Sequence, residues 1–246
     1  MRFHGDNVSG LDFSLDGAVA TMTLNRPDKA NALDAALVEL LHSAFDTAVG
    51  AKVRLLVMRG AGRHFCAGFD FSGFEELPVS ELGWRFVRIE QFLQKLFHAP
   101  FETMALAQGG CFGAGADLVA ACGTVVAAAD AKFRMPGWRF GLALGTRRLA
   151  ARVGAAQALR LLRASATLTC AEALNISLVD EALEATHWPE RVLSQRQGAL
   201  VLEGVAQGRL LGILREDTRA EDMASLIGSL CDGDLKARIA AFRSAR

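Results

Sequence analysis

GGCFGAGADL, residues 109–118, holds four glycines, two alanines and one carboxylate, Asp117. A run with so little side-chain bulk marks a place where something approaches the backbone closely. The stretch leaves TMALA (103–107), a short apolar run that predicts a buried strand. It continues into ADLVAAC (116–122), which predicts a buried helix. Strand, small-residue turn and helix together make an α/β unit. Two nucleotide signatures are missing: no Gly-Lys-Ser/Thr ends the run, and it does not supply G-x-G-x-x-G. Two readings stay open, tight strand-to-helix packing and an oxyanion hole. In the second, N–H groups near Ala114 and Gly115 begin a helix, lack intrahelical acceptors, and can hold an oxygen that gains negative charge.

The same grammar extends outward. AVATMTL (18–24) alternates like a strand with one buried face, and the apolar residues from Leu33 to Ala48 keep helical spacing. VRLLVM (53–58) predicts a second buried strand, followed by the glycine-punctuated loop 60–73. Residues 84–97 predict a helix stopped at Ala99-Pro100, and TVVAAA (124–129) predicts another strand. Helices are expected over 147–163, 169–176 and from 189 onward. Strands alternating with helices, then helices alone, predict an α/β core with a helical C-terminal appendage.

The bulk numbers set limits. The 246 residues suffice for one large core, and the formal net charge of zero argues against nucleic acid as the main partner. The five cysteines form no C-x-x-C pair, which predicts reduced, packing thiols in a cytoplasmic protein. MRFHGDNVSG has no apolar core of leader length, and no apolar run is long enough to span a membrane.

An oxyanion hole needs a second donor, and HFCAGFDF (64–71), with Ala67 and Gly68 at its centre, is the candidate. This pair of loops resembles the enoyl-CoA hydratase/isomerase (crotonase) family. The resemblance is also carried by MTLNRPDKANALD, ADAKFRMPGWRFGL and TCAEALNISLVDEAL, in the family's order, and covers residues 12–185. It implies a spiral of β-β-α units over residues 1–190 and a helical region, 191–246, that assembles trimers or hexamers. It implies an acyl-CoA thioester as substrate, a place in fatty acid metabolism, and no metal or tightly bound cofactor. By position, the oxyanion donors are the N–H groups of Ala67 and Ala114. Lys29, Ala30, Phe65, Gly68, Asp70 and Gly113 fall where the family holds coenzyme A or the thioester.

The sequence also departs from the family pattern. The hydratases use two glutamates; their positions here are Asp117 and Gly137. One acid is shortened and the other is missing. Adding water across a double bond needs water activated at one carbon and a proton delivered at the next, which one carboxylate does with difficulty. The segment GLALGTRRL (141–149) is shorter than the family's, so a rebuilt pocket is expected. Asp117 itself has a plain alternative, as an acid favourable to the helix dipole. Glu75, Glu76, Glu81 and Glu90 are expected on a solvated face, though one could swing into the pocket. His64 and His98 are expected to be structural. Cys66 and Cys111 lack a histidine at a telling spacing for nucleophilic work. Arg147 and Arg148 are candidates for surface roles or coenzyme A phosphates. The leading expectation is one-base acyl-CoA chemistry, isomerase-like in preference to lyase (hydratase) action, with hydrolysis or decarboxylation also possible outcomes. The alternative is an acyl-CoA-binding or assembly protein that has lost its chemistry.

Overall fold

Strand β1 (Leu11–Asp16) turns at Gly17, which needs its positive φ of 56°, and pairs antiparallel with β2 (Val19–Leu24). The computed structural model describes residues 10–245; residues 1–9, read above for a leader, lie outside them. After β2 comes helix α1 (Ala35–Gly50), started by Asp34, whose carboxylate accepts the Leu37 N–H at 2.8 Å. Of the predicted stripe, Leu33, Leu37, Leu41, Ala44, Phe45 and Ala48 are buried, Leu40 is half-buried and Ala36 is exposed. Next come β3 (Leu55–Gly60), α2 (Val79–Phe97), β4 (Glu102–Ala107), β5 (Gly110–Phe112), α3 (Ala114–Ala121), β6 (Thr124–Ala127) and β7 (Lys132–Arg134). The rest is mainly helical: α4 (Thr146–Val153), α5 (Ala155–Ala164), β8 (Leu168–Thr169), α6 (Cys170–Asn175), β9 (Glu181–Ala182), α7 (Trp188–Ala199), α8 (Gly204–Leu214), α9 (Arg219–Cys231) and α10 (Leu235–Ser244).

The main sheet runs β1-β2-β3-β4-β6-β9, parallel except for the first pair. A second, small sheet runs β5-β7-β8. Single bridges between Leu33 and Phe69 and between Cys66 and Cys111 carry that small sheet into the loops after β2 and β3. So β2, β3, β4 and β6 each leave the main sheet, add a short extended piece to the second layer, and enter a helix. That is the expected spiral of β-β-α units.

Two sequence expectations are adjusted. The helix over 147–163 is two helices, broken at Gly154 with φ 79°. The C-terminal helices are also part of the body. Leu226, Leu235 and Ile239 join the same buried core as the α1 and α2 stripes. Arg54, at the foot of β3, donates to the carbonyls of Ala199 and Leu202 and to Gln207.

Candidate active site

The close approach implied by GGCFGAGADL is made by the loop after β3. A Cβ on Gly68 would meet the Phe112 carbonyl oxygen at 2.5 Å and the Ala114 nitrogen at 3.2 Å. A Cβ on Gly115 would overlap the Cys66 carbonyl. Gly113 has φ 53° and ψ −126°, a conformation open to glycine, and it turns β5 into α3. Ala114 is then the first residue of α3, so its N–H has no acceptor within the helix. The small residues therefore pack two loops together, and the Ala114 N–H at the junction has no acceptor within the helix.

One cavity of about 590 Å³, counting its open mouth, gathers Ala67, Gly113, Ala114, Asp117 and Gly137 on a lining that is otherwise apolar and aromatic. Asp117 is only 4% exposed, and its Oδ1 is buried with no hydrogen-bond partner. It therefore does not cap α3. Burial lifts its carboxyl to about 8, against the pull of Arg148 and with a smaller push from Glu90. Gly145, which precedes α4, lies against it: a Cβ there would overlap Asp117 Oδ1, and its φ of 66° also favours glycine. The shortened 141–149 loop thus presses directly on the acid.

The other sequence candidates separate clearly. The Ala67 N–H is not free; it donates to the Ala30 carbonyl at 2.9 Å. Ala30 adopts a left-handed conformation, φ 48°, in the turn Pro27–Lys29. Lys29 is exposed beside it. Phe65 is fully buried in the core, with its N–H given to the Gln108 carbonyl. Asp70 holds the loop rather than facing a ligand. It pairs with Arg26 at 3.1 Å and accepts the Ser72 N–H at 3.0 Å. Burial opposes its charge, but Ser72 and Arg26 prevail and keep its carboxyl below the usual range. Asn31, fully buried, binds the carbonyls of Ala61 and His64 and so ties the first turn to this loop.

His64 accepts the Gly110 N–H at 2.9 Å, a structural contact. Burial raises the Cys66 thiol to about 12 and Cys111 well above its ordinary value, which removes both as nucleophiles. Glu90 is corrected from a solvated face to the interior: it is 1% exposed and pairs with Arg148, itself 3% exposed. Arg148 also reaches Asp222 at 3.2 Å, so it is no surface phosphate ligand. Glu81 pairs with Arg85 at 3.1 Å, and Glu75 lies 3.6 Å from Arg243. Neither lines the cavity, and among the described residues Asp117 is the one acid on that lining. Gly145 and Phe242 were missed as site residues. The first carried a signal in its shortened loop; the second, far along the chain in α10, carried none.

Residues 14–198 match the sequence profile of the enoyl-CoA hydratase/isomerase family. The chain belongs to this family. A Bacillus subtilis protein named "Probable enoyl-CoA hydratase" is 33% identical over 177 residues, 70% of this chain and 68% of its own. The mouse ethylmalonyl-CoA decarboxylase is 30% identical over 211 residues, 78% of this chain; the match spans 64% of the decarboxylase, just under two thirds. A crystal structure from Bordetella parapertussis assigned to enoyl-CoA hydratase/isomerase aligns with TM-score 0.94 at 41% identity, over 95% of this chain and 98% of its own. Within the enoyl-CoA hydratase/isomerase family, this chain combines the expected fold with a cavity lined by both Asp117 and Gly137. A Cβ at Gly137 would come within 3.1 Å of the Leu142 carbonyl, so the backbone there is closed tightly around the absence of a side chain.

Proposed function

We propose that this protein moves a proton on an acyl-CoA thioester with a single acid/base, Asp117, and that double-bond isomerisation is its reaction. The observation that carries this is Asp117 itself: buried, unpartnered at Oδ1 and alone among apolar walls beside the free N–H of Ala114. The Asp117 carboxylate takes a proton from the α-carbon of a 3-enoyl thioester. The negative charge moves onto the thioester oxygen, where the Ala114 N–H stabilises it. The Ala67 N–H joins once it exchanges the Ala30 carbonyl for that oxygen. The same carboxylic acid then returns the proton to the γ-carbon, so the double bond shifts and no atom is gained or lost. Hydration would need a second group to activate water, and none lines the cavity. Coenzyme A would run along the turn Pro27–Lys29, with the exposed Lys29 toward phosphate and Ala30, Gly68 and Gly113 giving backbone contacts.

A second reading within the same chemistry is decarboxylation of a malonyl-type thioester, favoured by the mouse relative and by a carboxyl that stays protonated at neutral pH. Loss of carbon dioxide leaves an enolate, and protonated Asp117 supplies the proton. The two reactions differ in pH dependence. As a base, Asp117 gives a kcat/KM that rises up to pH about 8 and then levels. As an acid, it gives one that falls above that pH. The test is a mass-resolved panel of 2-enoyl, 3-enoyl, saturated and malonyl-type CoA thioesters, with Asp117→Asn alongside. Turnover by wild type and loss in the variant supports the proposal. Binding of thioesters with no turnover leaves an acyl-CoA-binding protein, and full activity in Asp117→Asn removes Asp117 from the chemistry.

Assembly into trimers belongs to the same proposal. It is supported by apolar side chains left exposed on α7, α8 and the turn between them, including Val201 at 79%, Val205 at 80% and Ile213 at 75%.

A further inference from the structure

The wall of the Asp117 cavity is apolar and rich in aromatic rings, with Leu142, Leu144 and Leu162 completing it. Phe69 and Phe71 come from the loop after β3, Phe86 from α2, Trp138 and Phe140 from the turn Gly137–Phe140, and Phe242 from α10. The five phenylalanine rings form one connected surface. Phe69 stacks on Phe86 with centroids 4.3 Å apart, and Phe71 lies 4.9 Å from Phe69. Phe140 meets Phe71 edge-on at 82° and 6.2 Å, and Phe242 lies 5.1 Å from Phe140.

The chain has 15 phenylalanines and no tyrosine, so this surface carries no phenolic hydroxyl. The Trp138 indole N–H is already given to Thr146 Oγ1 at 3.0 Å. Apart from Asp117, no uncommitted polar side chain lines the cavity. A tail bearing hydroxyl or charged groups would lose its water there and gain no partner. The tail must be apolar, and the rings narrow its kind further. Aliphatic residues would serve an alkyl chain as well. Ring pairs that range from stacked, at 19° for Phe69 and Phe86, to edge-on, at 82° for Phe71 and Phe140, offer both a negative face and a positive edge, which a flat arene meets in offset or edge-to-face contact. Met135 adds a thioether to the same lining, another group that favours aromatic contact.

We propose that the acyl group of the substrate carries an aromatic ring, so that the protein takes aryl-substituted acyl-CoA thioesters. This rests on the acyl-CoA reading above and specifies its substrate class. Phe242 makes the C-terminal helix α10 part of that selection.

The test is calorimetric titration of the wild-type protein with 3-phenylpropanoyl-CoA and 3-cyclohexylpropanoyl-CoA, which share carbon count and ring size and differ in π character. The phenyl thioester is expected to bind about tenfold more tightly. Phe140→Leu and Phe242→Leu, which keep apolar bulk, are expected to shrink that ratio while leaving the cyclohexyl affinity near wild type. Equal or tighter binding of the cyclohexyl thioester overturns the aromatic assignment and leaves the acyl-CoA reading standing. A phenyl preference undiminished in both variants also overturns it. Failure of both thioesters to bind overturns the acyl-CoA reading and this inference with it.

Discussion

Asp117, buried and unpartnered at Oδ1, is costly to the fold, and in the proposed reaction it is the group that moves the proton. Its carboxyl has a folded pKa of about 8, well above the ordinary carboxylate value, so the native state keeps the proton over a range where the unfolded chain releases it. The stabilising effect of that proton is full below about pH 4 and is lost as pH rises to about 8. Asparagine has the same shape and no proton to lose. Asp117→Asn is therefore expected to be more stable than wild type by a margin that grows from pH 5 to pH 8, while turnover disappears. Urea denaturation of both proteins at those pH values checks it; a margin independent of pH would mean that the carboxyl is not held protonated. At this scale the sequence named Asp117, Ala114 and Gly137 as candidates because they sit in ordered motifs, and all three line one cavity. It could not name the environment. Whether the helix terminus lowers the acid or the apolar wall raises it depends on Gly145 and on rings contributed from distant segments.

At the scale of elements, a buried charge cluster stitches α2, α4 and α9 together behind the site. Arg148 of α4 lies between Glu90 of α2 and Asp222 of α9, and Gln94 donates to Glu90 at 3.0 Å. Removing one partner leaves an uncompensated buried charge. Glu90→Ala is expected to cost about 3–5 kcal/mol, and the double change Glu90→Leu with Arg148→Met to restore much of it. Equilibrium unfolding checks this, and a Glu90→Ala protein as stable as wild type would show that the cluster is dispensable. Arg148 also draws the Asp117 pKa down, so the double variant should move the activity profile to higher pH. The helical spacing over 84–97 was legible, since Phe86, Ile89 and Leu93 are buried as the stripe requires, while the helix itself starts earlier, at Val79. The burial of Glu90 was not, because a glutamate on a helix gives no sign that a helix from later in the chain will bring it an arginine.

For the whole molecule, the open question is what covers the apolar residues of α7 and α8. Leu214 at 72% exposure extends the patch made by Val201, Val205 and Ile213. Sedimentation analysis is expected to find a trimer or a pair of trimers in wild type, and smaller species in Val201→Asp with Ile213→Asp. An unchanged assembly would place the interface elsewhere. Arg54, Gln207, Glu102 and Gln195 tie this region to the sheet, so the patch is presented on a firm backing.

The sequence by itself determined the family, the β-β-α order and the pair of small-residue loops. Each of those is written in local spacing, which apolar periodicity and glycine placement record directly. The tertiary structure alone decided that Phe65 and Asp70 serve the fold, that the Ala67 N–H is already bonded to Ala30, and that Arg148 lies inside. It also decided that rings from five separate segments, Phe112 of β5 among them, close around one acid. These outcomes depend on which distant side chains meet, and burial and pairing of that kind leave no mark on the spacing of neighbours along the chain.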